Sequence, residues 1–293
     1  MKGMTRNALI FLLGFVVVLI VSAFLSPWLF TFLPFKFDRI LRRLIMIGAL
    51  LLVGWLIRVR RQNLLKMGLV WEPESPKFLG QGFLIGTGLV VLISLAQWAL
   101  GARFWQVYHT DAGRWIGLFF KALAAGFTIG FIEEWFFRGF LFTTLKDLWN
   151  TKASIVVTNL VYALVHFFPK GKVFIGPHPT VADSFRVYSA AILVTKAQWL
   201  EVLPAMLGLW LFGVMLTFVM MRTGSLYRSI GVHAGAVFSL KLNRRFIPEI
   251  APKLDIVSGS KNLYDGISGL IILVIAAIIS GWWACRRKKQ AAA

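Results

Sequence analysis

Apolar residues along this chain come in long unbroken runs separated by short basic connections. They show neither the alternation of a half-buried strand nor the narrow stripe of a surface helix. Eight runs reach or approach the roughly twenty residues that a helix needs to cross a bilayer. They fall near residues 8 to 27, 41 to 57, 81 to 100, 115 to 144, 153 to 168, 202 to 221, 225 to 240 and 266 to 285. Because a spanning backbone must satisfy its own hydrogen bonds, the pattern predicts an all-α, polytopic membrane bundle of about eight transmembrane helices.

The runs are not alike. The first and last carry Leu, Ile, Val and Phe on all sides and read as lipid-facing. The third holds Gly80, Gly82, Gly86 and Gly88, a face for close helix packing. The fifth and seventh are short and polar for membrane segments, with Asn159, Tyr162 and His166 in one and Arg228, Ser229 and His233 in the other. Such helices avoid lipid, so both are expected inside the bundle, around an intramembrane polar cavity. Gly231 and Gly235, like Gly126 and Gly130, form GxxxG pairs beside the polar positions. Between the sixth and seventh runs, RTGSL reads as a tight hairpin, with Gly224 in the left-handed position and Ser225 capping the next helix. The connection 169 to 201 is rich in Pro and Gly and then turns to FRVYSAAILV, a stretch suited to the membrane surface. His178, between two prolines, reads as a loop residue.

Composition narrows the class. At 58% hydrophobic and 15% charged over 293 residues, the chain is not a soluble globular protein. Its net charge of +20 sits in short clusters, at Arg58 to Arg61, Lys170 to Lys172, Arg244 to Arg245 and Arg286 to Lys289. That placement speaks for topology signals and anionic lipid headgroups, and against nucleic acid. The single cysteine, Cys285, allows no disulfide within the chain. Lys2, Arg6 and the RRKK tail put both termini in the cytoplasm, and the short loops suit a bacterial plasma membrane. The first run reads as a retained signal anchor. Three parts follow: N-terminal helices over 1–114, a core over 115–240, and a last helix with its basic tail over 241–293.

The candidate chemistry lies in GFIEEWFFRGF, residues 130 to 140. Ionised side chains at membrane depth are costly, and so mark function. On a helix Glu134 and Arg138 share a face, whereas Glu133 is turned about 100° away and has no cation near it in sequence. Counting about 1.5 Å per residue from the cytoplasmic ends puts Glu133 and His166 at similar depth, with His233 within reach. A carboxylate and two histidines on three interior helices can do three things. They can hydrolyse, with the carboxylate activating water and imidazole stabilising the oxyanion. They can hold a zinc ion through Glu133, His166 and His233. They can relay protons in a proton-coupled transporter, although the internal repeats that transport favours are not evident.

The set EExxxR at Glu133, Glu134 and Arg138, an aromatic four residues before histidine at Tyr162 and His166, and HAG at His233 after the RTGSL hairpin resembles the CAAX-protease and bacteriocin-processing family. These are the Abi or type II CAAX prenyl endopeptidase proteins, and the likeness covers residues 115 to 240. It implies an intramembrane endopeptidase that cuts a membrane-associated protein or peptide. In that reading Glu133 activates water with help from His166, Glu134 is the second motif carboxylate, Arg138 holds the glutamates, and His233 is the oxyanion donor. Family members are described both with and without a metal. Two positions depart from the pattern. Tyr162 stands where phenylalanine is usual, and Val237 where asparagine or aspartate usually follows the histidine. Asn159 and Ser229 are candidate replacement donors, and a weakly active or inactive relative serving as an immunity or binding scaffold is the alternative within the same fold.

Overall fold

A computed structural model describes residues 2–59, 67–104, 111–166, 173–192, 196–246, 249–250, 255–259 and 262–290. The basic positions Arg60, Arg61, Lys170 and Lys172 lie outside the described residues. The described chain is almost wholly helical, with one short antiparallel pairing of β1 (Arg103–Phe104) and β2 (Glu249–Ile250).

The chain divides into two compact units. The first comprises residues 1–63 and 167–199. It holds α1 (Lys2–Phe30), α2 (Phe37–Val59) and α7 (Val181–Ile192). Helix α7 begins where Asp183 accepts from the Thr180 backbone N–H at 2.8 Å and from its hydroxyl at 2.9 Å. Those bonds hold the Asp183 carboxyl below the usual range. The amphipathic stretch expected along the membrane surface packs one side on α1 and leaves Phe185 exposed. Ser184 donates to Ala23 O at 3.0 Å and meets Ser26 at 2.9 Å, while the Tyr188 hydroxyl donates to Leu19 O at 3.0 Å. Burial there pushes the Tyr188 phenol up to about 12.

The second unit, residues 64–166 and 200–293, carries the polar helices. In it lie α3 (Ser75–Ala99), α4 (Ala112–Glu134), a π-helical segment (Trp135–Phe142), α5 (Thr143–Leu148) and α6 (Thr151–His166). The main part of α8 (Lys196–Thr223), then α9 (Leu226–Phe246), α10 (Asp255–Ser258) and α11 (Ile267–Gln290) complete it. Helix α9 runs through the centre, and every residue from Ser229 to Ala236 is buried. Its sequence is too polar for lipid, and backbone contact explains how it is enclosed. A Cβ on Gly86 of α3 would lie 1.9 Å from Val232 O, and one on Gly235 of α9 would lie 2.1 Å from Phe83 O. On the other flank, a Cβ at Gly126 of α4 would meet Ala234 O at 2.6 Å. Half of the glycine face expected on α3 is used, since Gly82 and Gly86 touch α9 while Gly80 and Gly88 have nothing within 4 Å.

The α8–α9 hairpin forms as its sequence predicts. Gly224 has φ 72°, and the Ser225 Oγ accepts from the Tyr227 N–H at 3.3 Å. Leu226 N–H also donates to Gly68 O at 2.8 Å, which ties the turn to the segment before α3.

Five helical stretches among the described residues are long and apolar enough to cross a membrane: Leu13–Phe30, Ser75–Ala99, Ala112–Leu148, Val202–Thr223 and Ile267–Cys285. The chain is an integral membrane protein. The expected eight spans also included α2, α6 and α9. Of these, α2 is flanked by Asp38, Arg39, Arg42, Arg43 and Arg58, α6 has only 16 residues, and α9 carries Arg228, Lys241 and Arg244.

Candidate functional site

The five residues singled out from sequence meet in the second unit, at the junction of α4 with the π-helical segment, α6 and α9. Adjacent positions on α4 give its two glutamates opposite surroundings, as a turn of about 100° per residue requires. The Glu134 side chain is 0% exposed and the Glu133 side chain 24%.

Glu134 belongs to a sealed inner layer. Its Oε1 accepts from Arg138 Nη1 at 2.8 Å and lies 2.9 Å from His233 Nδ1. Arg138 is itself fully buried, and its Nη2 donates to Asn159 Oδ1 and Gly213 O, each at 3.1 Å. Its guanidinium also lies over the Tyr162 ring, with Cζ 4.5 Å from the centroid. Asn159 is held in turn: its Nδ2 donates to Ile155 O at 2.8 Å and to Thr217 Oγ1 at 3.1 Å. Three helices supply acceptors to Arg138 Nη1 and Nη2, while Arg138 Nε and Glu134 Oε2 are buried without a partner among the described residues.

Glu133 forms the outer layer with His166, whose side chain is 30% exposed at the end of α6. Glu133 Oε2 lies 3.4 Å from His166 Nε2 and 3.7 Å from His233 Nε2. Both imidazoles are turned to it by their other nitrogen. His166 Nδ1 is 2.8 Å from Tyr162 O, and His233 Nδ1 faces the Glu134 carboxylate. A carbonyl and a carboxylate can only accept, so Nδ1 carries the proton in each ring and Nε2 is the end left to work. The Tyr162 ring packs between them, with centroids 4.6 Å from His166 and 6.2 Å from His233. Phe212 closes the far side at 5.6 Å from His233.

The π-helical segment follows Glu134 at once. Its i→i+5 pattern widens the turn, and such segments recur at functional sites. Here it buries Phe137, Arg138, Gly139, Phe140 and Phe142 together, a wider buried face than a regular α-helical turn offers.

Two carboxylates face one guanidinium in this cluster.

Two sequence candidates are engaged elsewhere. Both Asn159 amide donor directions are used within the brace, and the Ser229 hydroxyl donates to Leu226 O at 2.9 Å. Neither faces Glu133 as a spare donor. Val237 is half-buried on α9. His178 is exposed in the first unit, and Cys285 is exposed on α11. Sequence reasoning missed Gly213 and Thr217 of α8, which complete the Arg138 brace. Their only signal is a glycine and a lone threonine four apart in an apolar run.

Among the described residues, no group of three or more His, Cys, Asp or Glu side chains is arranged to hold a metal ion. The side chains of Glu133, His166 and His233 are capable of acid–base and hydrogen-bond chemistry.

The family model described as Type II CAAX prenyl endopeptidase Rce1-like matches residues 115–239. No curated protein and no solved structure matches the chain. The matched segment runs from α4 to α9 and contains all five site residues.

Proposed function

Because residues 115–239 are Rce1-like, of the type II CAAX prenyl endopeptidase family, we propose that this chain is an intramembrane endopeptidase whose general base is Glu133. Its substrate is a membrane-associated protein or peptide. The observation that carries the assignment is the convergence of His166 Nε2 and His233 Nε2 on Glu133 Oε2, at 3.4 and 3.7 Å. Glu133 and His166 are the two members with partly exposed side chains, at 24% and 30%, and Glu133 Oε2 is buried without a hydrogen-bond partner among the described residues, which leaves it an acceptor for a water proton. Glu134 and Arg138 cannot meet that water.

In this mechanism Glu133 takes a proton from water, and the resulting hydroxide attacks the scissile carbonyl carbon. His166, with its Nδ1–H fixed on Tyr162 O, presents Nε2 to the same water and helps to orient it. His233, held at Nδ1 by Glu134, turns Nε2 to the scissile carbonyl oxygen and stabilises the oxyanion as a donor once that nitrogen has taken up a proton. The proton held by Glu133 passes to the leaving amine as the tetrahedral intermediate collapses. Arg138 neutralises Glu134 and takes no part in proton transfer. If a zinc ion binds, Glu133, His166 and His233 are the side chains to hold it, and it would supply a more acidic water. The plasma membrane of a bacterium, with both termini cytoplasmic, is the proposed setting.

Val237 supports a second reading, a weak or inactive scaffold, because removal of one oxyanion donor costs about a hundredfold or more in rate. The test compares wild type with Glu133→Gln, purified in nanodiscs, for cleavage of co-expressed membrane-anchored peptide tails. Cleavage is expected to fall by about 10²- to 10⁴-fold while thermal stability is kept. Cleavage unchanged in the variant removes Glu133 as base. No cleavage by wild type, but cleavage by Val237→Asn, establishes the scaffold reading.

A further inference from the structure

Away from the catalytic cluster, the second unit gathers a set of cations and aromatic rings at the ends of its spans. Arg222 closes α8, Arg228 opens α9 after the Gly224 turn, and both lie against one indole on α11. Arg222 Cζ is 5.0 Å and Arg228 Cζ 5.5 Å from the Trp283 ring centroid. Arg228 Cζ also lies 4.5 Å from the Phe78 ring, in the first turn of α3. All three spans end here: Arg222 is next to last in Val202–Thr223, Trp283 is two residues from the end of Ile267–Cys285, and Phe78 is three residues into Ser75–Ala99. The cluster is therefore at the level where hydrocarbon gives way to headgroups, the depth that tryptophan favours.

Ion pairing does not account for Arg228. Among the described residues no carboxylate lies within 4.0 Å of it. Its Nη2 donates to a neutral acceptor, Gln81 Oε1, and its Nε is buried without an acceptor among those residues. Two like charges flanking one ring repel each other, so an anion set between them gains from both. Arg222, Arg228 and Trp283 are each partly exposed. Stacking on aromatic rings holds the guanidinium planes in fixed orientation, which favours forked hydrogen bonding to phosphate oxygens.

We infer that Arg222, Arg228 and Trp283 form a binding site for the phosphate of an anionic phospholipid headgroup, on the α8–α9 hairpin side of the bilayer. The acyl chains of that lipid lie along the apolar flank of α11, where Ile275, Ile278, Ile279 and Trp282 are exposed. Because α9 begins at this site and carries His233 seven residues later, the lipid anchors one end of the helix that holds a catalytic imidazole.

Native mass spectrometry of detergent-purified protein titrated with phosphatidylglycerol, against phosphatidylcholine of the same chains, tests this directly. Wild type is expected to retain the anionic lipid preferentially. Each arginine near an anionic surface contributes about fivefold in affinity, so Arg222→Gln with Arg228→Gln should lower retention by about 25- to 30-fold. Lys146→Gln with Lys152→Gln, which removes the same charge from exposed positions at the α5–α6 turn, should leave it unchanged. Equal binding of the two lipids by wild type overturns the proposal, as does full retention by the double arginine variant. So does thermal stabilisation by inorganic phosphate equal to that by the lipid, since the site would then be one for a soluble anion. If the double variant does not accumulate, the single variants carry the test, with about fivefold loss apiece.

Discussion

The two units of this molecule solve the same packing problem in different ways. In the first, glycines on α1 and α2 admit side chains. A Cβ on Gly48 would meet Val18 Cγ1 at 2.6 Å, and one on Gly14 would meet Leu52 Cδ1 at 2.6 Å. In the second, glycines on α3, α4 and α9 admit backbone, with carbonyl oxygens at 1.9 to 2.6 Å from a Cβ at Gly86, Gly235, Gly231, Gly82 or Gly126. A side-chain tip can rotate away, whereas a carbonyl within a helix cannot. His233 on α9 hydrogen-bonds Glu134 on α4 at 2.9 Å and lies 3.7 Å from Glu133, so those helices approach more closely than interlocked Leu and Val would permit.

The largest effect on folding is therefore expected at the α3–α9 contact. Gly86→Ala or Gly235→Ala should destabilise the protein by about 3 kcal/mol, the upper part of the range for overpacking a tight interior. The readout is thermal unfolding in detergent alongside the yield of monodisperse protein. Wild-type stability in both variants would show that the helices can part, and the contrast between the units would lose its basis.

The next test concerns the brace behind the site. Gly213→Ala puts a methyl 2.6 Å from Asn159 Oδ1 and 3.0 Å from Arg138 Nη2, while Asn159→Ala removes an acceptor from the same guanidinium. One variant crowds Arg138 and the other loosens it. Leaving a buried charge short of one acceptor costs about 2 kcal/mol. Because Arg138 steadies Glu134, and Glu134 steadies His233, cleavage should fall by about ten- to a hundredfold in Asn159→Ala. The fall should appear in kcat with KM little changed. A stability loss with kcat intact would leave Asn159 a packing residue only.

These contacts also show where the sequence is informative. The convergence of Glu133, Glu134, Arg138, His166 and His233 is legible because charge and imidazole are too costly at membrane depth to lie there without partners. Asn159 stands out as a polar stripe residue, but its partner does not, since a pairing with Arg138 twenty-one positions away depends on how α6 lies against the π-helical segment. Gly213 and Thr217 are invisible for a related reason. In an apolar run a glycine and a threonine look like ordinary packing residues until a guanidinium is placed against them. The all-helical membrane class is written in the apolar runs. The number of spans is not, because α2 is charged toward its ends, α6 is short and the polar α9 is enclosed by its neighbours. The packing of α7 on α1 escapes because an amphipathic stretch does not reveal whether lipid or another helix covers it.

The smallest effect gives the sharpest check on the contrast, because its sign is at stake. Gly48→Ala on α2 replaces a residue that costs a helix about 0.5–1 kcal/mol relative to alanine. Against that gain stands the contact with Val18 Cγ1, which one rotamer change on α1 can relieve. The net change should lie within about 0.5 kcal/mol of zero. Gly54→Ala, on the same helix with nothing within 4 Å, should stabilise by the full helix-propensity gain of about 0.5–1 kcal/mol. Measured by thermal unfolding side by side, the pair isolates what Val18 contributes. Were Gly48→Ala as damaging as Gly86→Ala, the side chains of the first unit would be as immovable as the backbone of the second, and close backbone approach would no longer distinguish the unit that carries the site.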